Sequence, residues 1–268
     1  MLNDSEINSV LKDLRELYNY DFTYYSRDSF KRRINRLYKL EKYRSFSEFT
    51  TKLRSDPNYI DHFIDRITVH VTEMFRDPSF FLVLRNQVIP ELAKRPVIRV
   101  WHAGCSTGQE VYSVAILLHE AGLLQKSELL GTDVNPQVLT KARTGVFPVS
   151  LTQLYAKNYI LSGGERDFSA YHTETSFGEK FDERFRSRMT FISHSLASEE
   201  YINRFDLIIC RNVLIYFDQE LQDRTFQLFD LSLSPNSYLA LGEKETINFS
   251  RISAKFKQVD QEKIWKKL

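Results

Sequence analysis

Only two cysteines, Cys105 and Cys210, occur in 268 residues. That is too few for a disulfide scaffold or a four-thiolate zinc site, and a reducing cytoplasm is the expected setting. Net charge is scarce as well. The 37 Lys and Arg against 35 Asp and Glu leave +2, which excludes a chain that coats nucleic acid through its overall charge. Glycine (9) and proline (7) are sparse, and no apolar run approaches the roughly 20 residues of a membrane-spanning helix. Met1-Leu2-Asn3-Asp4-Ser5-Glu6 lacks the basic start and apolar stretch of a secretory signal, so none is expected. Against these absences stand 20 Phe, 14 Tyr and 42% hydrophobic residues, enough for a large core and incompatible with a disordered or fibrous chain.

Residues 1–94 carry helical periodicity, as in Ile7, Val10, Leu11, Leu14 and Leu17, then Phe30, Ile34 and Leu37, then Ile60, Phe63, Ile64 and Ile67. Asp77-Pro78 offers an N-cap followed by proline at the first helical position, ahead of Phe81, Leu84, Val88 and Leu92. A domain of about four packed helices is expected there. Over 95–268 short β-rich runs alternate with helical ones, the pattern of parallel strands joined by crossover helices. Strands are predicted at 97–101, 128–132, 205–210 and 238–241, and helices at 109–121, 136–144 and 219–231. The fold class is α/β, a doubly wound Rossmann-like sheet behind an all-α domain. Within it, 149–188 loses the alternation. Ser162-Gly163-Gly164-Glu165 separates runs such as Tyr159-Ile160-Leu161 and Phe168-Ser169-Ala170-Tyr171, and a small antiparallel β-subdomain is predicted.

Function is expected at the first β-to-α turn, Gly104-Cys105-Ser106-Thr107-Gly108, where a doubly wound sheet binds its ligand. The dinucleotide fingerprint is absent, since the turn reads Gly104-x-x-x-Gly108, and the phosphate-loop Lys-Ser/Thr pair is missing. What remains is a nucleoside-type pocket of Gly108, Glu110 and Asp133, a carboxylate at the end of the next strand being able to accept from ribose hydroxyls. Local readings compete with this. Thr107-x-x-Glu110 has the form of a capping box, and Asp133 suits an N-cap or Asx turn ahead of Pro136.

The run Val100-Trp101-His102-Ala103-Gly104-Cys105-Ser106-Thr107-Gly108-Gln109-Glu110-Val111-Tyr112-Ser113 resembles the cofactor motif of the CheR family of chemotaxis receptor methyltransferases. Three further blocks follow the family's order. They are Thr72-Glu73-Met74-Phe75-Arg76-Asp77; Gly131-Thr132-Asp133-Val134-Asn135 followed by Lys141-Ala142-Arg143-Thr144-Gly145; and the most specific, 205–217, which holds Cys210-Arg211-Asn212-Val213-Leu214-Ile215-Tyr216-Phe217. The likeness covers nearly the whole chain. It implies a class I methyltransferase sheet and S-adenosylmethionine as cofactor, with S-adenosylhomocysteine as product. The implied activity is that of a protein-glutamate O-methyltransferase, forming methyl esters on chemoreceptor signalling helices for bacterial chemotaxis adaptation. The implied partner is the chemoreceptor cytoplasmic domain, with no nucleic acid, metal or membrane insertion, and the enzyme is expected as a cytoplasmic monomer.

By position, the resemblance places Thr72 and Arg76 at the cofactor's methionine end with His70 nearby, and Gly104 and Gly108 at the turn. It makes Glu110 and Asp133 nucleoside contacts, sets Ser195 and Leu196 against the adenine, and puts Arg211 and Asn212 beside the cofactor. Tyr216 stands near the transferred methyl, and Arg76, Arg211 and Tyr216 form the implied catalytic set. Four positions depart from the family pattern: His70 for Asn, Gln109 for an acid, Ser195 for Asn, and Lys244 for Ser in Gly242-x-Ser-Glu. Departures at His70, Ser195 and Lys244 prompt one alternative, a weakly catalytic cofactor-binding signalling module of the same fold. A nucleic-acid methyltransferase is disfavoured, because Arg211-Asn212-Val213-Leu214 stands where amino-group methylation calls for Asn/Asp-Pro-Pro-aromatic, and neither cysteine follows a proline.

A glutamate carboxylate, with an ordinary pKa of about 4.3, is anionic at neutral pH and needs no general base. Alignment and desolvation are then the enzyme's tasks. Arg211 is expected to steer the incoming carboxylate, so that Arg211→Ala impairs ester formation more than cofactor binding, while Arg76 pairs with the cofactor's carboxylate. Tyr216 packs on the methyl donor's cationic face, worth about 0.5–2 kcal/mol. The run Arg27–Arg44 sets eight cations against Asp28 and Glu41. With Phe30, Ile34 and Leu37 turned to the core, its cations are expected outward for docking on an acidic receptor. Cys105 and Cys210 read as small apolar packing groups, and His102, His119, His172 and His194 lack metal-ligand spacing. A long loop at 176–184 suggests recognition of the methylation region without a receptor tail peptide.

Overall fold

At the N-terminus the chain enters its first helix through a reciprocal cap. The Asn3 side chain accepts from the Glu6 amide and the Glu6 carboxylate accepts from the Asn3 amide at 2.8 Å. This helix, α1 (Asp4–Tyr18), packs with α2 (Arg27–Leu40), α3 (Phe46–Ser55) and α4 (Tyr59–Ile67) around Ile7, Leu14, Ile34, Phe49 and Phe63. Next, α5 (Pro78–Val83) runs through a π-helical turn at Leu84–Val88 into α6 (Ile89–Leu92). Pro90 has no amide to return to the Asn86 carbonyl, and the wider turn gives its ring room. Phe80, Phe81, Leu84, Val88 and Leu92 share a core with Val100 and Leu207 of the sheet. The sequence reading grouped α5 and α6 with the helical domain, whereas they pack with the sheet.

The computed structural model describes residues 1–198 and 203–268. After α6 come β1 (Ile98–Ala103), α7 (Gln109–Glu120), β2 (Ser127–Asp133) and α8 (Pro136–Thr144). A small antiparallel sheet follows, made of β3 (Val146–Phe147), β4 (His172–Thr175) and β5 (Gly178–Phe181), with β5 central. Helix α9 (Thr152–Leu161) lies between its first two strands, and α10 (Glu183–Arg186) follows the last. The remaining elements are β6 (Met189–Ser193), β7 (Phe205–Cys210), α11 (Gln219–Ser232), β8 (Leu233–Leu241), β9 (Phe256–Gln258) and β10 (Ile264–Lys267).

Among the described residues the main sheet has seven strands in the order β6-β2-β1-β7-β8-β10-β9. The first five are parallel neighbours, and β10 is antiparallel to both β8 and β9. From β1 the chain moves to β2 on one side and later returns to β7 on the other, which opens a crevice above their carboxyl ends. Strands β1 and β7 are buried on both faces and mostly apolar, as parallel strands covered by helices are. Trp101, fully buried, donates its indole N–H to Thr132 Oγ1 at 2.9 Å.

The structure differs from expectation at the insertion. Tyr159-Ile160-Leu161, read as a strand-like run, ends helix α9, and 176–184 is no loop. Thr175 pairs with Gly178 across a two-residue turn, and β5 and the start of α10 take up the rest. Strand β6 and the β9–β10 hairpin were not predicted.

Candidate functional site

A cavity of about 360 Å³ sits over the carboxyl ends of β1, β2 and β7, floored by the sheet and roofed by the helical domain. That volume lies within the range of small-molecule sites, about 300–1,000 Å³. Roof and floor are joined by main-chain bonds. The Ser26 amide donates to the Tyr216 carbonyl at 2.7 Å, the Asp218 amide donates to the Tyr24 carbonyl at 2.9 Å, and Tyr25 forms an antiparallel bridge with Phe217.

The floor begins at Gly104, whose φ of 79° ends β1 and whose amide, with that of Cys105, donates to the Thr132 carbonyl at 2.8 Å. A Cβ at Gly104 would overlap Val213 Cγ2, so glycine is required there by both conformation and space. Gly108 serves elsewhere. It starts α7 with φ 92°, and a Cβ there would stand 3.0 Å from Ala142 Cβ. It therefore permits α7 to pack on α8 and does not line the cavity.

Glu110 faces the cavity but does not cap α7, because Thr107 Oγ1 donates to Gln109 Oε1 instead. One Glu110 oxygen meets His102 Nδ1 at 3.2 Å and the other accepts from Arg211 at 3.1 Å. Burial pushes this carboxyl up, yet the His102 hydrogen bond and the Arg211 charge outweigh it and hold the group below the usual carboxylate range. Asp133 realises the Asx turn, accepting from the Asn135 amide at 3.0 Å, and also takes the Ser106 amide at 2.9 Å. Its carboxyl is pushed up by burial against the pull of those amides. The helix cap itself falls to Asn135. Ser106 Oγ is buried and has no hydrogen-bond partner among the described residues.

Arg211 lines the cavity as expected and is already paired there. Its side chain is only 3% exposed, with one terminal nitrogen on Asp77 at 2.5 Å and the other on Glu110 and the Arg76 carbonyl. The guanidinium also stacks on Phe80, 4.1 Å from the ring centroid. Both terminal nitrogens are engaged, and the pairing holds Glu110 in place. Asp77 likewise does not cap α5, since its left-handed backbone turns the side chain to Arg211.

Of the other expected residues, Thr72, Arg76, Leu196, Asn212 and Tyr216 line the cavity. His70 faces away, its Nε2 within 3.2 Å of the Asp65 carbonyl, Thr68 Oγ1 and Asn135 Nδ2, where it ties α4 to the start of α8. Ser195 lies buried behind Leu196 and accepts from the Ala197 amide. All four departures from the family pattern, His70, Gln109, Ser195 and Lys244, stand off the cavity wall. The basic helix also differs from expectation at one place. Arg33 turns inward over Tyr216, while Arg32, Arg36 and Lys39 remain exposed.

Sequence reasoning missed three residues. His102, fully buried on β1, orients Glu110; a titratable side chain inside a doubly covered strand was the available signal. Asp77 completes the ion-pair chain. Glu245, 5% exposed, accepts the amides of Asn212, Val213, Leu214, Ile215 and Gly242 at 2.7–3.3 Å and so shapes the loop that carries Tyr216.

Residues 70–265 match the family profile of the CheR methyltransferase SAM-binding domain, and residues 5–68 that of the CheR methyltransferase all-alpha domain. The Pseudomonas putida protein Cher3 is 41% identical over 265 residues, covering 98% of this chain and 97% of its own. The chemotaxis protein methyltransferase of Listeria innocua is 34% identical over 234 residues, 85% of this chain and 84% of its own. That of Borreliella burgdorferi is 30% identical over 233 residues, 80% and 78% respectively.

Proposed function

The chain belongs to the CheR methyltransferase family and is an S-adenosylmethionine-dependent methyltransferase of chemotaxis, and from that premise we propose that it forms methyl esters on glutamate side chains of chemoreceptor cytoplasmic helices. The observation that carries the reading is the cavity itself. It places two carboxylates, Glu110 and Asp133, at the carboxyl ends of β1 and β2, and its roof is the underside of a basic helix.

The residues present fit the cofactor. A glycine turn brings backbone close to the ligand, Asp133 offers its remaining lone pairs to ribose hydroxyls, and Ser106 Oγ supplies an unused polar atom beside it. Thr72 and Arg76 would hold the methionine end, with Leu196 against the adenine. Bound there, the cofactor supplies an electrophilic methyl group on a sulfonium. The chain's own part is positional. His102 and Arg211 keep Glu110 ionised and fixed, Glu245 sets the Tyr216 loop, and Tyr25 and Phe217 close the roof against water. A carboxylate acceptor is already anionic at neutral pH and needs no proton removed.

Receptor docking falls to the exposed cations Arg32, Arg36 and Lys39 of α2, so the methylation rate should drop steeply with added salt. The signalling-module alternative was prompted by His70, Ser195 and Lys244, and their place off the cavity wall supports the enzymatic reading. The deciding experiment incubates methyl-labelled cofactor with chemoreceptor cytoplasmic fragments and tests the label for lability in alkali. Alkali-labile label on receptor glutamates is expected. Firm cofactor binding by calorimetry without any ester would overturn the proposal in favour of the module.

A further inference from the structure

Three guanidinium groups line the cavity, and they differ in what already holds them. Arg211 is paired with two carboxylates. Arg76 reaches only the Val71 carbonyl, at 3.3 Å. Arg33 comes down from α2, donates to the Ile67 carbonyl at 2.8 Å, and lies over the Tyr216 ring with its guanidinium carbon 4.7 Å from the centroid. Neither Arg76 nor Arg33 has a carboxylate partner among the described residues. The Ile67 carbonyl and Tyr216, which meets Arg33 with its ring and its hydroxyl, satisfy only part of the five N–H donors. Partial burial leaves it short of solvent as well, pulling its pKa below the usual arginine range.

Resting on the esterification reading above, two anions must enter this cavity, the carboxylate of the cofactor's methionine and that of the acceptor glutamate. Two uncommitted cations await them. Arg76 stands with Thr72 on the segment between α4 and α5, whereas Arg33 stands against Tyr216 and belongs to the helix whose outer face carries the docking charges. We propose that Arg33 binds the carboxylate of the acceptor glutamate, its planar fork matching the two oxygens, and so selects an acidic side chain for methylation.

In the transfer, one carboxylate oxygen gains an O–CH3 bond as the S–CH3 bond breaks, the electron pair passes to sulfur, and no proton moves. The acceptor's charge falls from −1 to zero. Arg33 therefore holds the substrate more strongly than the reacting complex or the ester, which places its effect in KM and eases product release.

The test compares wild type with Arg33→Ala, Arg33→Gln and, as a measure of the docking charge on the exposed face of the same helix, Arg32→Ala, a loss that should raise the receptor KM only a few-fold. A lost charge-assisted hydrogen bond should raise the receptor KM roughly ten- to a hundredfold with kcat little changed. Calorimetric affinity for S-adenosylmethionine should hold within about twofold, and added guanidinium should restore part of the loss in Arg33→Ala. Equal KM changes in Arg32→Ala and Arg33→Ala would overturn the inference by reducing it to bulk charge, as would a loss of cofactor affinity with receptor KM unchanged. If wild type binds cofactor yet forms no alkali-labile ester, the esterification reading itself fails. If wild type esterifies and both Arg33 variants match it, only the role of Arg33 fails.

Discussion

Replacing Glu245 by glutamine should destabilise the protein far more than an isosteric change at a loop residue ordinarily does. One carboxylate oxygen takes the amides of Val213, Leu214 and Ile215, and the other takes those of Asn212 and Gly242. Glutamine keeps one acceptor oxygen and turns an NH2 toward whichever amides it no longer serves. At least two buried N–H groups then lose their partner and face another donor. Each such orphan costs about 1–3 kcal/mol, so for two the expected loss is about 2–6 kcal/mol. In urea unfolding this appears as a lowered midpoint with the slope m unchanged. Asn212, whose φ of 61° the clamp helps to hold, and Tyr216 should shift with it, and kcat/KM should fall alongside stability. A change in stability within about 0.5 kcal/mol would refute the reasoning, since it would mean that water or a relaxed loop satisfies the amides.

Two further outcomes follow from the floor of the site. Gly104→Ala should lower both stability and cofactor affinity, and a second substitution, Val213→Ala, should recover the steric part but leave the cost of a positive φ, about 1 kcal/mol or more; full recovery in thermal and binding measurements would count against the backbone argument. Because Glu110 has its pKa depressed in the folded state, its contribution is fully present above its unfolded value, near 4.5, and is lost as pH falls through the lower folded value. Arg211→Ala removes the charge that helps depress it, so the acid-induced loss should be smaller and the stability at neutral pH lower by about 3–5 kcal/mol; an unaltered acid limb in pH-dependent denaturation would contradict this assignment.

The strands β1 and β7 were legible because they are buried on both faces and read as mostly apolar runs, and the predicted span of β7 coincides with the observed Phe205–Cys210. Edge strands carry no such signal. In the edge strands β6 and β9 only Phe191 and Phe256 are buried, so each resembles a loop in composition. Tyr159-Ile160-Leu161 misled for a related reason, since a short apolar run does not distinguish a buried strand from a helix end. At the site, residue types were readable and pairings were not. Arg211 was found, but Asp77, its partner, lies 134 positions away and looked like a helix cap. Glu245 serves backbone amides 30–33 positions upstream, and amides leave no trace in a side-chain pattern.

The seam between Tyr24–Ser26 and Tyr216–Asp218 is stitched by main-chain groups. Such stitching is indifferent to which side chains occupy it, so the spacing between α2 and the cavity beneath it survives sequence drift on either side. The outward residues of α2 are then free to change, while the residues beneath keep their alignment. Separating the two halves, by contrast, would leave the chamber without a lid.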